Sequence, residues 1–477
     1  MAIFPDPSIT IALPHLLQQA AQQAKRQARS ILVSLTERIW SLDTIDLFEQ
    51  AASATADRFF WSQPDEDFTL VGLGIAQALE AVEESRFRQI GTAWRNLLRG
   101  AILEGLRGLP DAGPLLFGGF AFDPQQPKTS LWRDYPDGRM VLPKVLYTQK
   151  HNEAWLTCNV IVDPDSNLEA EQAAMSAFCE QLFVPSTTYH PENRSKLQVT
   201  MHDLRPAADW QAEVVQAAQD IADGKLEKTV LARAVRLETS ESDSGSAPFN
   251  AANALRRLSA NYKECFIFAI ARGERCFLGA TPERLAEVHD GEIRTMALAG
   301  SVQRGTTENE DRAFGESLLA SAKDRNEHAV VVKFIAEALQ GLSHHLTIAV
   351  QPTLLKLGNV QHLYTPVRGR LADGHTLLDV VERLHPTPAV GGRPREAALS
   401  LIREREGLDR GWYAGPVGWI DRHGEGKFVV AIRSALLHRT SATLFAGCGI
   451  VADSNPEREY AESCLKLKPM LSALTGE

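Results

Sequence analysis

Paired cysteines are missing. The six cysteines (Cys158, Cys179, Cys265, Cys276, Cys448, Cys464) are scattered through 477 residues and form no CxxC, so neither a disulfide scaffold nor a zinc site is favoured. No run of about 20 apolar residues occurs, and no membrane span is expected. The opening MAIFPDPSITIALPHLL carries no basic n-region and no long apolar h-region, so no secretory leader is expected. A positive surplus is missing too. Lys+Arg number 50 against 60 Asp+Glu, a formal net charge of −10, which argues against non-specific nucleic-acid binding. An anionic small substrate remains open, since a pocket can be positive on a negative protein. No fixed-period repeat and no long low-complexity tract is present. What is there is ordinary globular material, 44% hydrophobic and 23% charged, in a chain long enough to bury a large core without staples. The expectation is a soluble, cytoplasmic protein of two to four domains' worth of chain, at roughly 100–200 residues each.

Helical and strand patterns mix throughout, which predicts an α/β or α+β class. An amphipathic helix from Leu16 leads to a strand near Ile31–Leu35. A second helical stretch covers Phe87–Gly105. Phe68–Ala76 and Leu115–Asp123 are apolar strands with glycines. Gly72-x-Gly74 lacks the third glycine of a dinucleotide fingerprint and reads as close packing. A Pro/Asp/Trp-rich loop is expected over Pro124–Pro143, then a hairpin turning at Lys150–Glu153. Phe183–Leu197, rich in Pro, Ser, Thr and Asn, is the best internal boundary. It divides the chain into 1–200 and 201–477. Beyond it come a helix over Trp210–Asp223 stopped by Gly224, a strand at KTVLARAVRL, and a solvent loop at Glu241–Pro248.

The chemistry-bearing residues lie in the second part. Asp324 and Glu327 stand at i,i+3 in a helical pattern over Ala320–Leu339, so they share a face. Asn455 is a candidate N-cap with Pro456 at the first helical position, and Glu459, Glu462 and Lys466 follow in one stripe. Two helices each presenting a carboxylate pair can hold a hard divalent ion such as Mg²⁺; on spacing alone they are as well read as solvated faces. Lys228 enters an otherwise apolar strand. A desolvated lysine can act as a base, and a strand-edge lysine can keep its head in water. Glu283 follows Thr281-Pro282 at the end of an apolar run, where it is either a salt-bridge partner or a proton donor in an apolar pocket. Ala297–Gly305 and Phe445–Asp453 are glycine-rich stretches where backbone could approach a ligand. WYAGPVGWI and FVVAIRSAL read as two neighbouring strands of one sheet. The second carries Arg433, whose burial requires an anion, from the protein or from a ligand.

In order, the motifs are KTVLARA, ATPERL, ALAGS, KDRNEH, HPTPAVGG, WYAGPVGW, VAIRSAL and AGCGIVADSNPEREYAESCLKLK. Through them the chain, roughly from Lys225 to Leu474, resembles the chorismate-utilising enzymes. GGFAFDP, SLWRDYP and VLPKVLY resemble the longer, menaquinone-type members more loosely. The resemblance implies two stacked, mainly antiparallel sheets flanked by helices, with residues 201–477 as the chorismate-binding catalytic part and residues 1–200 packing on the same sheets. It implies that Lys228 activates water for attack on C2 of chorismate and that Glu283 protonates the departing C4 hydroxyl. Glu327 and Glu462 match direct Mg²⁺ ligands, and Asp324 and Glu459 match positions that hold the ion, partly through its waters. Lys466 and the backbone at Gly447 and Gly449 match groups near the ring carboxylate. Tyr413 and Arg433 match the clamp on the enolpyruvyl carboxylate. His362, with Gly300 and Ser301, matches the pocket lining.

Within the family, the lysine at position 228 favours water over ammonia. Ala297-Leu298-Ala299-Gly300-Ser301 offers no nucleophilic lysine for a covalent adduct. Ala389 stands where salicylate-forming relatives tend to carry a hydroxyl. The resemblance therefore implies isochorismate formation, with salicylate synthase or a non-catalytic chorismate-binding subunit as alternatives. No amidotransferase motif with a catalytic cysteine is present, so any ammonia would need another subunit; with water as nucleophile no such subunit is expected, and the long N-terminal part leans toward quinone synthesis.

Overall fold

A computed structural model describes residues 7–105, 112–183, 197–239, 248–358 and 360–476, the side chains of residues 7–11 aside. The described residues build two large sheets and eleven helices, a mixed α/β architecture. The first sheet has 13 strands. It runs from Val199–Asp203 at one edge through Lys228–Thr239, Ser441–Ile450, Ser434–His438, Arg275–Thr281 and Phe266–Arg272, and ends at Ile102–Gly105. The second has 10 strands, with Glu292–Gln303, Arg284–His289, Gly426–Val430 and Pro416–Asp421 at its centre. Ladders are antiparallel except where Ile31–Ile39 meets Ile102–Gly105. Both sheets take strands from before and after residue 200.

The sheets pack face to face through aromatic side chains, Trp61 on Phe117 at 6.0 Å and Phe68 on Trp419 at 5.9 Å between ring centroids. Such pairs combine large apolar burial with specific geometry. The other face of the first sheet is covered by helices Pro7–Gln27, Leu168–Leu182, Ala251–Asn261 and Pro456–Thr475, which bury Leu17, Met175, Leu255 and Met470 there. Helices Arg86–Leu98, Ala322–Ala338 and Leu377–Leu384 pack against the second sheet.

Several local expectations shift. The stretch from Phe87 is helical only to Leu98. Gly100 then takes φ +74° and Ile102–Gly105 becomes an edge strand. The Pro124–Pro143 loop contains a wholly buried strand, Gly138–Leu142. The helix expected over Ala320–Leu339 starts afresh at Ala322, because Ser321 ends one helix and caps the next. FVVAIRSAL is not one strand. Its first half, to Val430, lies in the second sheet and its second half, from Ser434, in the first. Residues 184–196 of the expected boundary and 241–247 of the solvent loop lie outside the described residues.

Candidate active site

Two chain crossings between the sheets meet side by side. Strand Arg275–Thr281 leaves the first sheet through Pro282-Glu283 and continues in the second as Arg284–His289. Ala431–Arg433 makes the return crossing. The crossings are stitched by backbone. The Val430 N–H donates to the Glu283 carbonyl at 3.0 Å, and the Ala280 N–H to the Arg433 carbonyl at 3.1 Å. The Thr281 hydroxyl donates to the Val430 carbonyl at 2.7 Å. Arg433 sits at φ +50°, a left-handed conformation that costs a non-glycine residue about 1–3 kcal/mol unless its surroundings over-determine it. A turn carrying Tyr413 locks onto the same crossing, since the Ala414 N–H donates to the Ala431 carbonyl at 3.0 Å.

The candidate catalytic, substrate-binding and metal-holding residues all line one cavity of about 160 Å³. Glu283 is 7% exposed. Burial pushes its carboxyl up to about 7, against the opposing pull of Arg433, Lys228 and Lys466, so a large fraction is protonated near neutrality. Lys228 opens its strand, buried, with Nζ 2.6 Å from Glu327 Oε1. Gly449 makes room for that pair: a Cβ there would stand 2.8 Å from Lys228 Cε and 3.3 Å from Glu327 Oε1. Arg433 is 8% exposed, makes no ion pair among the described residues, and leaves Nη1 buried without an acceptor. No described residue therefore supplies the direct anionic partner that its burial requires. Tyr413 stacks on Phe445 at 5.1 Å, and burial pushes its phenol up to about 12, so it remains a donor. A Cβ at Gly447 would lie 3.2 Å from that hydroxyl.

The carboxylate pairs come from the two expected helices. Asn455 caps the second, accepting from the Glu457 and Arg458 N–H groups. Burial pushes Glu459 up and the neighbouring Glu462 adds to it. For Glu462, burial is outweighed by Lys466 and Arg433, which hold it low. Lys466 pairs with Glu462 at 2.7 Å and donates to the Gly447 carbonyl at 2.9 Å. Asp324 is held by the Ser321 hydroxyl. Two like-charged carboxylates crowded in one cavity, beside hard-oxygen donors on a second helix, fit a cation that prefers oxygen ligands. Cys448 lies with Glu459 and Glu462 in one potential ligand group, but burial pushes its thiol well up and it donates to the Glu459 carbonyl. That leaves oxygen atoms as the donors.

Gly300, at φ +76°, bulges its strand so that a Cβ would stand 3.1 Å from Asp324 Cβ. Ser301 Oγ lies 2.8 Å from His362 Nδ1. Burial, with Arg433 and Lys466, drives His362 down to about 3, so the ring is neutral, and its Nε2 is buried without a partner. Ala389 lines the cavity with its neighbour Val390. One element was not foreseen: Glu406 and Arg410, both 0% exposed, pair at 2.6 Å. Arg410 donates to the Val230 and Val390 carbonyls, and Glu406 accepts from the Ala232 N–H. Their i,i+4 spacing in REREGLDR was a visible signal, but it is equally the spacing of an exposed helix pair.

The chain is 37% identical to the isochorismate synthase MenF of Bacillus subtilis, over 96% of each chain. It is 38% identical to the salicylate biosynthesis isochorismate synthase of Pseudomonas aeruginosa, over 98% of this chain and 94% of that one. The solved structure of MenF, the menaquinone-specific isochorismate synthase from Escherichia coli, superposes with a TM-score of 0.78 at 27% identity, covering 96% of this chain and 100% of that one. Residues 17–475 match the family described as chorismate binding enzyme, and the chain belongs to that family.

Proposed function

We propose that the protein is an isochorismate synthase that adds water at C2 of chorismate and expels the C4 hydroxyl. Lys228 takes a proton from water as the oxygen bonds to C2. Both conjugated ring double bonds shift, C1=C2 to C1=C6 and C5=C6 to C4=C5, and the C4–O bond breaks. Glu283 gives its proton to the departing oxygen, which leaves as water. A proton then returns from Lys228 to Glu283 through solvent, and the sum is an isomerisation. The buried Arg433 guanidinium and the Tyr413 hydroxyl clamp the enolpyruvyl carboxylate. Lys466, with the Gly447 and Gly449 backbone, orients the ring carboxylate. Mg²⁺ held by Glu327 and Glu462, with Asp324 and Glu459 behind them, would grip that carboxylate and offset the negative charge of the site.

The observation that carries the reading is the raised carboxyl of Glu283, at about 7, in the same cavity as Lys228 and an Arg433 that makes no ion pair among the described residues. An acid that must donate near neutrality needs such a value. All the named side chains come from residues 201–477, which supports that part as the catalytic one, with residues 1–200 completing the sheets. Water as nucleophile removes any need for an ammonia-supplying subunit. The likeness to two MenF enzymes supports menaquinone synthesis as the use of the product. The free thiols of all six cysteines support a reducing, cytoplasmic setting. The test is product analysis with chorismate and Mg²⁺ in the absence of ammonia. Isochorismate without pyruvate is expected. Salicylate with pyruvate would assign the lyase reaction instead, and unchanged chorismate would sink the proposal.

A further inference from the structure

A second cavity, of about 470 Å³, lies on the same face of the first sheet as the catalytic one, further along two shared strands. Lys228 and Val230 line the first cavity, and Ala232, Ala234 and Arg236 line the second. With side chains alternating along a strand, these residues share one face. On the neighbouring strand Gly447 and Gly449 line the first cavity, and Ser441 and Thr443 the second.

Four arginines line this second cavity, and three are matched by acids. Arg233 pairs with Asp203, Arg275 with Asp134 at 2.7 Å, and Arg205 with Glu213 at 3.6 Å. The two acids of the lining are already engaged. Glu406 grips Arg410, and Asp409 accepts from Thr129 and from the Gly411 N–H. Arg236 has no carboxylate partner among the described residues, and its Nε is buried without an acceptor. A shielded donor left unmet is costly, and a planar guanidinium is matched best by a carboxylate that accepts two N–H bonds. Around it, Leu131, Leu204 and Leu436 offer apolar wall, and Ser441 and Thr443 offer hydroxyls. One unmatched positive charge beside apolar wall selects a monoanion with an apolar body.

We infer that this cavity is a second binding site, for a small organic carboxylate anchored on Arg236, distinct from the catalytic cavity. Glu406 lines it and grips Arg410, which lines the catalytic cavity. An occupant therefore touches the brace between the two without touching the reacting atoms.

The probe is 4-iodobenzoate. It is soaked into crystals, where iodine is located by anomalous scattering, and titrated calorimetrically into wild type, Arg433→Ala, Arg236→Met and Thr443→Leu. Arg433→Ala removes one of the two carboxylate anchors of the catalytic cavity, and the iodine position separates binding at the other, Lys466, from binding at Arg236. Thr443→Leu fills the second cavity from the strand next to Arg236 and leaves the guanidinium in place. The expected result is an iodine site beside Arg236 and binding that survives Arg433→Ala but weakens at least about tenfold in Arg236→Met and Thr443→Leu. Iodine in the catalytic cavity alone, beside Arg433 or Lys466, unchanged affinity in either cavity variant, or a soaked site with no binding in solution would overturn the inference. Because the readout is binding, it stands or falls independently of the reaction assigned to Glu283 and Lys228.

Discussion

Replacing Glu283 by glutamine separates two consequences of its burial. The carboxyl rises from an ordinary 4.5 to about 7, mainly by desolvation. The folded chain therefore binds that proton more tightly than the unfolded chain does. Between those two values the folded state holds more protons, so this residue makes stability fall as pH rises through the interval and then level off. At about 1.4 kcal/mol per unit, the whole effect is about 3 kcal/mol. Glutamine does not titrate and escapes the loss. Relative to its own position at about pH 5, the variant is expected to gain up to about 3 kcal/mol over wild type at about pH 8. Turnover should fall at least about a hundredfold, since the proton for the departing hydroxyl is gone. Urea unfolding at the two pH values, together with kcat, reads both quantities. A stability difference that is the same at both pH values, or normal turnover by the variant, would refute the reasoning.

Gly449→Ala puts a methyl 2.8 Å from Lys228 Cε; kcat should drop about a hundredfold with an unchanged circular dichroism spectrum. Arg433→Ala removes a charge-assisted clamp worth about 2–3 kcal/mol, so kcat/KM for chorismate should fall roughly 30- to 150-fold in steady-state assays. Glu406→Gln leaves the fully buried Arg410 without its counter-charge. It should cost about 3–5 kcal/mol, read as a lowered melting temperature. Chelation of divalent ions should abolish turnover without unfolding the chain, and Glu462→Gln should weaken Mg²⁺ binding at least about tenfold by calorimetry.

Residues whose meaning is local were legible in the sequence. The i,i+3 carboxylate pairs, the Asn455-Pro456 helix start and the glycines at 300, 447 and 449 follow from helical period and backbone permissiveness. All of these residues line or cap the site. Features set by tertiary contact were not legible. Nothing in FVVAIRSAL marks the break at Arg433, because φ +50° is imposed by hydrogen bonds to a segment about 150 residues away. Gly138–Leu142 hid in a Pro/Asp-rich context, and it is a strand because both neighbours in the sheet pair with it. The Glu406–Arg410 pair has the spacing of an exposed pair and is buried by the strand it braces. Which choice wins between a solvated face and a ligand set is decided by what lies opposite, and the opposite wall comes from distant sequence.

The most direct measurement follows the oxygen. Chorismate and Mg²⁺ are incubated with the protein in oxygen-18 water, and the isochorismate is analysed by mass spectrometry with fragmentation. Attack by water on C2 with loss of the C4 hydroxyl predicts one heavy oxygen, at C2, in each product molecule formed in a single pass. Isochorismate carrying no label would mean that the C4 oxygen itself migrates, and would contradict the roles given to Lys228 and Glu283.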